Sequence, residues 1–257
     1  MMLNYMRSEW YRIVHGREFY VFTGVLCALV LAAIGIHFIM MSTPDFPYAT
    51  VRFTLGIMTS SLLGLLLLAG TLAWILFADD RKNGTLRNAI ATGYSRRRLF
   101  VGKCLVGTAA GLLCLVVVLV AYIGSAVLLL EGPAAQPVHD LLMGALSALP
   151  SAVASVVLVV AVFSEFENTG VALIVWVAVM FVIPYTLRMI GLLVEPIAVV
   201  ASWLPTNFFS TEALVSMSGS SLLWNTPAGL AKCLISGFVG IALFGAVGLW
   251  RAGKTEL

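Results

Sequence analysis

Six long apolar stretches separated by short polar connections make up most of this chain, at about 19–41, 54–78, 104–130, 141–163, 169–187 and 229–250. Each approaches the roughly 20 residues that a helix needs to cross a hydrocarbon core of about 30 Å. Their continuous Leu, Val, Ala, Ile and Gly content predicts helices, because barrel strands are shorter and alternate. The pattern predicts an all-α membrane protein with six transmembrane helices. The first stretch follows Arg7, Arg12 and Arg17 as a secretory signal would. Its apolar part is too long for one and lacks a clear small-residue cleavage site, so it reads as a retained span.

Two polar regions have patterns of their own. In residues 1–18, Leu3, Met6, Trp10 and Ile13 recur at helical spacing, with Arg7, Glu9 and Arg12 elsewhere on the wheel. That predicts an N-terminal amphipathic helix lying in the membrane interface. In 188–228, the apolar run from Ile190 to Ala201 is about half a span long and holds Glu195 and Pro196. Trp203, Pro205 and the Ser/Gly-rich run from Ser216 to Ser221 follow. A re-entrant outer hairpin between helices five and six suits this segment, with Glu195, Pro196, Trp203 and Pro205 as candidate outer-gate residues.

Composition narrows the class. The chain of 257 residues is 61% hydrophobic and 11% charged, with mean hydropathy +1.03. A soluble fold of this size has too few polar residues here to cover its surface, and disorder is excluded by the abundance of apolar residues. The length suits a single transmembrane domain over 1–257. The net charge of +3 is informative only once it is sorted by loop. Twelve of the fifteen basic residues fall in the N-terminal segment, the connection after the second span and the tail, leaving Arg52, Arg188 and Lys232. The positive-inside rule then places both termini in the cytoplasm.

Seven of those twelve lie in the connection 79–103. Asp79-Asp80 leaves the membrane, Gly84-Thr85 breaks the chain, and a short helix with Leu86 and Ile90 on one face follows. Gly93 stops it, Ser95 is placed to cap the next helix, and Arg96 to Lys103 lead back into the membrane. A short helix with one apolar edge and a charged rim fits a groove on another protein.

The order acidic pair, Gly84-Thr85-Leu86, Gly93-x-Ser95-Arg96, then Lys103 resembles the type 2 ABC-transporter permease family, bacterial exporter branch. The layout of interfacial helix, six spans and broken outer hairpin is similar along essentially the whole chain. The resemblance implies a coupling helix over 84–90 that docks into an ATPase subunit. Asp79, Asp80, Gly84, Thr85, Leu86, Arg87, Ile90, Ser95 and Arg96 would be its coupling residues, and Met6, Trp10 and Ile13 would mark the interfacial helix. It also implies that Phe53 and the stretch from Met58 to Leu68 face a dimer interface and translocation path. Gly93-Tyr94 stands where the family often has a Pro before Ser-Arg, a departure in subtype.

Other signals lead elsewhere. Gly248 to Thr255 satisfies the letter of a phosphate-binding P-loop, but it ends a span instead of joining a strand to a helix. Asn83-Gly84-Thr85 matches a glycosylation acceptor on the wrong side of the membrane. His15, His37 and His139 lack metal-ligand spacing, and Cys27, Cys104, Cys114 and Cys233 read as small packing residues. No nucleophile–base arrangement points to catalysis, so no catalytic or metal residue is expected. No carboxylate falls at a span centre, which argues against an ion-coupled transporter. Gly107 and Gly111, and Ser147, Ser151 and Ser155, form small-residue stripes that suit close helix contacts.

The expectation is a non-enzymatic permease subunit of an ATP-driven exporter in a bacterial cytoplasmic membrane. It would move a peptide, lipid-like or drug-like amphipathic substrate. Its partners would be a cytoplasmic ATPase dimer carrying ATP and Mg, a second copy or similar permease, and membrane lipids, with no nucleic acid. The alternative is a non-transporting scaffold or sensor that anchors a cytoplasmic partner through the same loop.

Overall fold

The computed structural model describes residues 2–43, 49–78, 80, 90–91, 93–166, 168–215 and 220–254. The helices in chain order are α1 (Met2–His15), α2 (Arg17–Met40), α3 (Val51–Ser60), α4 (Leu63–Phe77), α5 (Arg96–Leu129) and α6 (Ala135–Glu165). They are followed by α7 (Thr169–Gly191), α8 (Glu195–Ser202) and α9 (Pro205–Thr211), a hairpin of β1 (Ala213–Val215) and β2 (Ser220–Leu222), and α10 (Pro227–Lys254). Among the described residues, α2, α5, α6, α7 and α10 are long and apolar enough to cross a bilayer, five in all, or six if the bent pair α3–α4 is counted as one span.

Helix α6 is the axis of the bundle and packs on α10, α4, α3, α5 and α7. It holds that place because its faces are lined with small residues, which let backbones approach closely where no hydrophobic effect drives association. A Cβ on Gly237 of α10 would stand 2.4 Å from the Cβ of Pro150, and one on Gly144 would stand 2.7 Å from Leu62 and from Trp224. On α4, a Cβ on Gly70 would meet the Trp176 ring at 2.2 Å. The serine stripe lies wholly inside: Ser155 Oγ donates to the Leu66 carbonyl at 2.9 Å and accepts from Trp176 Nε1 at 3.2 Å. In the glycine pair, Gly107 packs against Phe77 and Val156, whereas Gly111 has open space around it.

The second apolar stretch is not one straight span. Helices α3 and α4 meet at 63°. The Thr59 and Ser60 hydroxyls donate back to the carbonyls of Leu55 and Gly56, a contact that bends helices. At the corner the backbone turns to tighter bonds, from Ser61 to Met58 and from Gly64 to Ser61. Helix α7 is also irregular. Its middle turn, Ala178–Val182, is π-helical, with the Ile183 amide bonding Ala178 just before Pro184, which has no amide hydrogen to offer.

The described residues of 188–228 hold the end of α7, two short helices and two short strands. Helix α8 folds back along the end of α7, where a Cβ on Gly191 would stand 2.8 Å from the Ala198 backbone. Buried Asn207 ties the turn together: its Nδ2 donates to the Pro184 and Ala201 carbonyls at 2.9 and 2.8 Å. The antiparallel hairpin β1–β2, with Ala213 opposite Leu222 and Val215 opposite Ser220, has no counterpart in the sequence expectation. It rests on α3 at Gly56, where a Cβ would stand 2.6 Å from Val215 Cγ1.

Candidate functional site

Arg12 of α1, Arg97 and Lys103 of α5 and Arg251 of α10 lie at one end of the bundle. Arg251 of α10 lies 3.7 Å from Glu165 at the end of α6, and Gly248 of α10 packs against Phe100 of α5. At this end α4 stops at Phe77, and a turn closed by the Asp80 amide on the Phe77 carbonyl carries Asp80 inward, to 3% exposure. A buried carboxylate needs a cation. Asp80 has two. Lys103 Nζ of α5 reaches its Oδ2 at 2.6 Å, and the Arg12 guanidinium of α1 donates to its Oδ1. Arg12 Nη2 also donates to the Leu76 carbonyl at 3.2 Å.

Two further groups complete the cluster. Glu9 is buried, and its Oε2 lies 2.8 Å from Arg12 Nη2 as an ion pair without an aligned hydrogen bond. Lys103 Nζ stands 5.5 Å from the centre of the Phe77 ring. Among the described residues, two carboxylates and two cations meet here. Burial by itself would loosen the Arg12 proton, but the hydrogen bond and charge of Asp80 outweigh it, and the guanidinium holds its proton more firmly than usual. Burial first, and the neighbouring Glu9 carboxylate second, hold the Tyr5 hydroxyl above the ordinary tyrosine range. Tyr5 lies on α5 at Gly102, where a Cβ would stand 2.8 Å from its ring.

This arrangement corrects the expected polarity of α1. Its buried stripe is Tyr5, Glu9 and Ile13. Leu3 is 76% exposed, and Met6 and Trp10 flank the stripe as partly buried neighbours. Glu9, expected apart from the apolar stripe, shares the buried face with Ile13, with Arg12 as its ion-pair partner. The helix is amphipathic, with a buried face that is partly ionic.

Of the expected coupling residues, Asp79, Gly84, Thr85, Leu86 and Arg87 lie outside the described residues. Ile90 is helical and half-buried, and the Gly93 amide closes a turn onto its carbonyl, with Gly93 at φ +89°. Ser95 occupies the N-cap position of α5, and Arg96 is the first helical residue. The Ser95 side chain makes no capping bond, contrary to expectation; its backbone carbonyl accepts from Leu99 instead. The outer-gate candidates are at the other end. Glu195 and Pro196 begin α8 exposed, Pro205 begins α9, and Trp203 is half in the open with its carbonyl bound by Ser236 Oγ.

Sequence reasoning counted Arg12 and Lys103 as topology signals and missed them as partners of Asp80. The available signal was Lys103 itself, a cation between Gly102 and Cys104 in an apolar run that a buried acid must answer. The P-loop letters end in helix: α10 continues through Lys254, so no phosphate-binding loop forms at 248–254. Among the described residues, no group of three or more His, Cys, Asp or Glu side chains is gathered as a metal site requires. An apolar cavity of about 60 Å³ opens between α2, α4, α5 and α6, lined by Phe22, Leu65, Leu72, Leu112 and Val156 among others. No protein-family model and no curated protein matches this chain.

Proposed function

We propose that the chain is the membrane-spanning subunit of an ATP-driven exporter whose ATPase subunits are separate cytoplasmic proteins. The observation that carries the reading is Asp80. It stands where α4 gives way to the connection that resembles a coupling helix, and its ion pairs tie that point to α1 and α5. A push on the connection therefore reaches three helices at once through charges that are costly to separate. The end holding this cluster is the cytoplasmic end, because Arg12, Arg97, Lys103 and Arg251 lie there.

The centre of one chain is filled by α6, and the apolar cavity of about 60 Å³ is too small for a peptide or lipid. A path for an amphipathic cargo runs between two copies, or between this chain and a similar permease. ATP-driven closure of the ATPase pair would move the connection and swing the bundles between inward- and outward-facing states.

The test is ATP hydrolysis by the complex captured from native membranes on a tagged chain and placed in nanodiscs, with and without a cationic amphipathic peptide. Hydrolysis that rises with peptide supports an exporter. A captured partner without hydrolysis, or with hydrolysis that no amphipathic compound changes, favours a scaffold and overturns the proposal.

A further inference from the structure

At the end of the bundle away from Asp80 there is a cavity of about 130 Å³ whose mainly apolar wall carries several polar groups. Arg52 and Thr59 of α3, Gln136 and Asp140 of α6, and Ser220 of β2 line it. The Thr59 hydroxyl is engaged by the Leu55 carbonyl at 2.9 Å. Asp140 is buried, yet its partners are weak ones for a charge. Gln136 Nε2 donates to Oδ1 at 2.8 Å, Ser220 Oγ to Oδ2 at 3.3 Å, and the exposed His139 ring lies 3.7 Å from Oδ1. A carboxylate has about four acceptor positions, so capacity remains for a further donor. Among the described residues no Lys or Arg pairs with Asp140, and Arg52, exposed on the same cavity, pairs with no carboxylate. Among the described residues, one cavity thus holds an acid without a Lys or Arg partner and a cation without a carboxylate partner.

We propose that this cavity binds a small zwitterion carrying a primary ammonium and a phosphate, of phosphoethanolamine size, with the ammonium on Asp140 and the phosphate on Arg52. Charge-assisted bonds of both signs would fix its orientation. A trimethylammonium has no N–H to give Asp140, so a choline headgroup is rejected. The inference rests on the ends of the helices and is independent of the exporter reading.

The test is native mass spectrometry of the detergent-purified full chain titrated with phosphatidylethanolamine, phosphatidylcholine and free phosphoethanolamine. One phosphatidylethanolamine should bind about tenfold more tightly than phosphatidylcholine, and Asp140→Asn should erase that preference. Arg52→Gln, at an exposed position, should weaken phosphatidylethanolamine about tenfold while leaving the melting temperature of the purified chain unchanged. Free phosphoethanolamine binding as well as the lipid would make the natural ligand a soluble zwitterion; binding of the lipid alone would make it a headgroup. Equal affinity for both lipids, or a preference that survives Arg52→Gln unchanged, overturns the proposal.

Discussion

The two ends of the bundle treat a buried aspartate in opposite ways. Asp80 is answered by two cations from two different helices, and among the described residues the charges in its cluster balance. Asp140 is answered by an amide, a hydroxyl and a distant imidazole, while Arg52 stands on the same cavity without pairing to it. The first arrangement is closed electrostatically, so it joins helices and has no vacancy for a ligand. The second leaves both signs of charge incompletely matched, which suits a site that an outside molecule completes. Burial alone does not distinguish a joint from a binding site. The distinction lies in whether the chain supplies the counter-ion.

The largest expected effect breaks the closed end. Asp80→Ala leaves Lys103 buried without its anion and should cost about 3–5 kcal/mol. It should lower the apparent Tm of the detergent-purified protein far more than Asp140→Asn, which removes hydrogen bonds of about 1 kcal/mol each and strands no buried cation. Equal losses from the two variants would remove the contrast. Between the ends, Gly70→Val drives a side chain into the Trp176 ring, already 2.2 Å from a glycine's would-be Cβ. Overpacking of this kind costs about 1–3 kcal/mol. Ser155→Ala leaves the buried Trp176 Nε1 without its acceptor and should cost about 1–3 kcal/mol by the same melting measurement.

A smaller effect sharpens the closed end through pH. The Tyr5 hydroxyl has its folded pKa raised above the ordinary value of 10.0. A raised value means the folded state favours the protonated form. That contribution is complete below about pH 10 and is lost as pH rises from there toward the folded value. Tyr5→Phe should therefore behave like the parent at pH 7 to 9 and lose less stability between pH 10 and 12. The same alkaline loss in both proteins would show that Tyr5 does not titrate within this cluster. Smallest of all, Arg251→Gln removes a surface pair of 3.7 Å and should stay within about 0.5 kcal/mol.

The long helices were legible in sequence because crossing a bilayer demands a continuous apolar run, and such a run survives any packing arrangement. Their ends were less legible: α5 begins at Arg96, ahead of the apolar residues, since the charged turns continue the helix into the polar zone. The corner between α3 and α4 was carried by Thr59-Ser60-Ser61, hydroxyl residues whose composition reads as tolerable in a span until their back-bonding is seen. The β-hairpin was hidden because three-residue strands flanked by Ser and Gly have too little alternation to stand out. In the candidate site, Asp80 was marked by sequence and its partners were not. Arg12 and Lys103 are 68 and 23 residues away, and no local pattern links charges that meet only through folding. The burial of Glu9 on α1 was hidden for the same reason, since the spacing of apolar residues does not show its pairing with Arg12.

The exporter reading stands or falls on whether the connection after α4 holds an ATPase. The most direct measurement is co-purification from native membranes of an ATP-hydrolysing partner on the tagged chain, comparing the parent with Leu86→Asp and Ile90→Asp. The parent should bring the partner down, and each aspartate should reduce its recovery at least about tenfold. Recovery undiminished in both variants, or no ATP-hydrolysing partner on the parent chain, would contradict it.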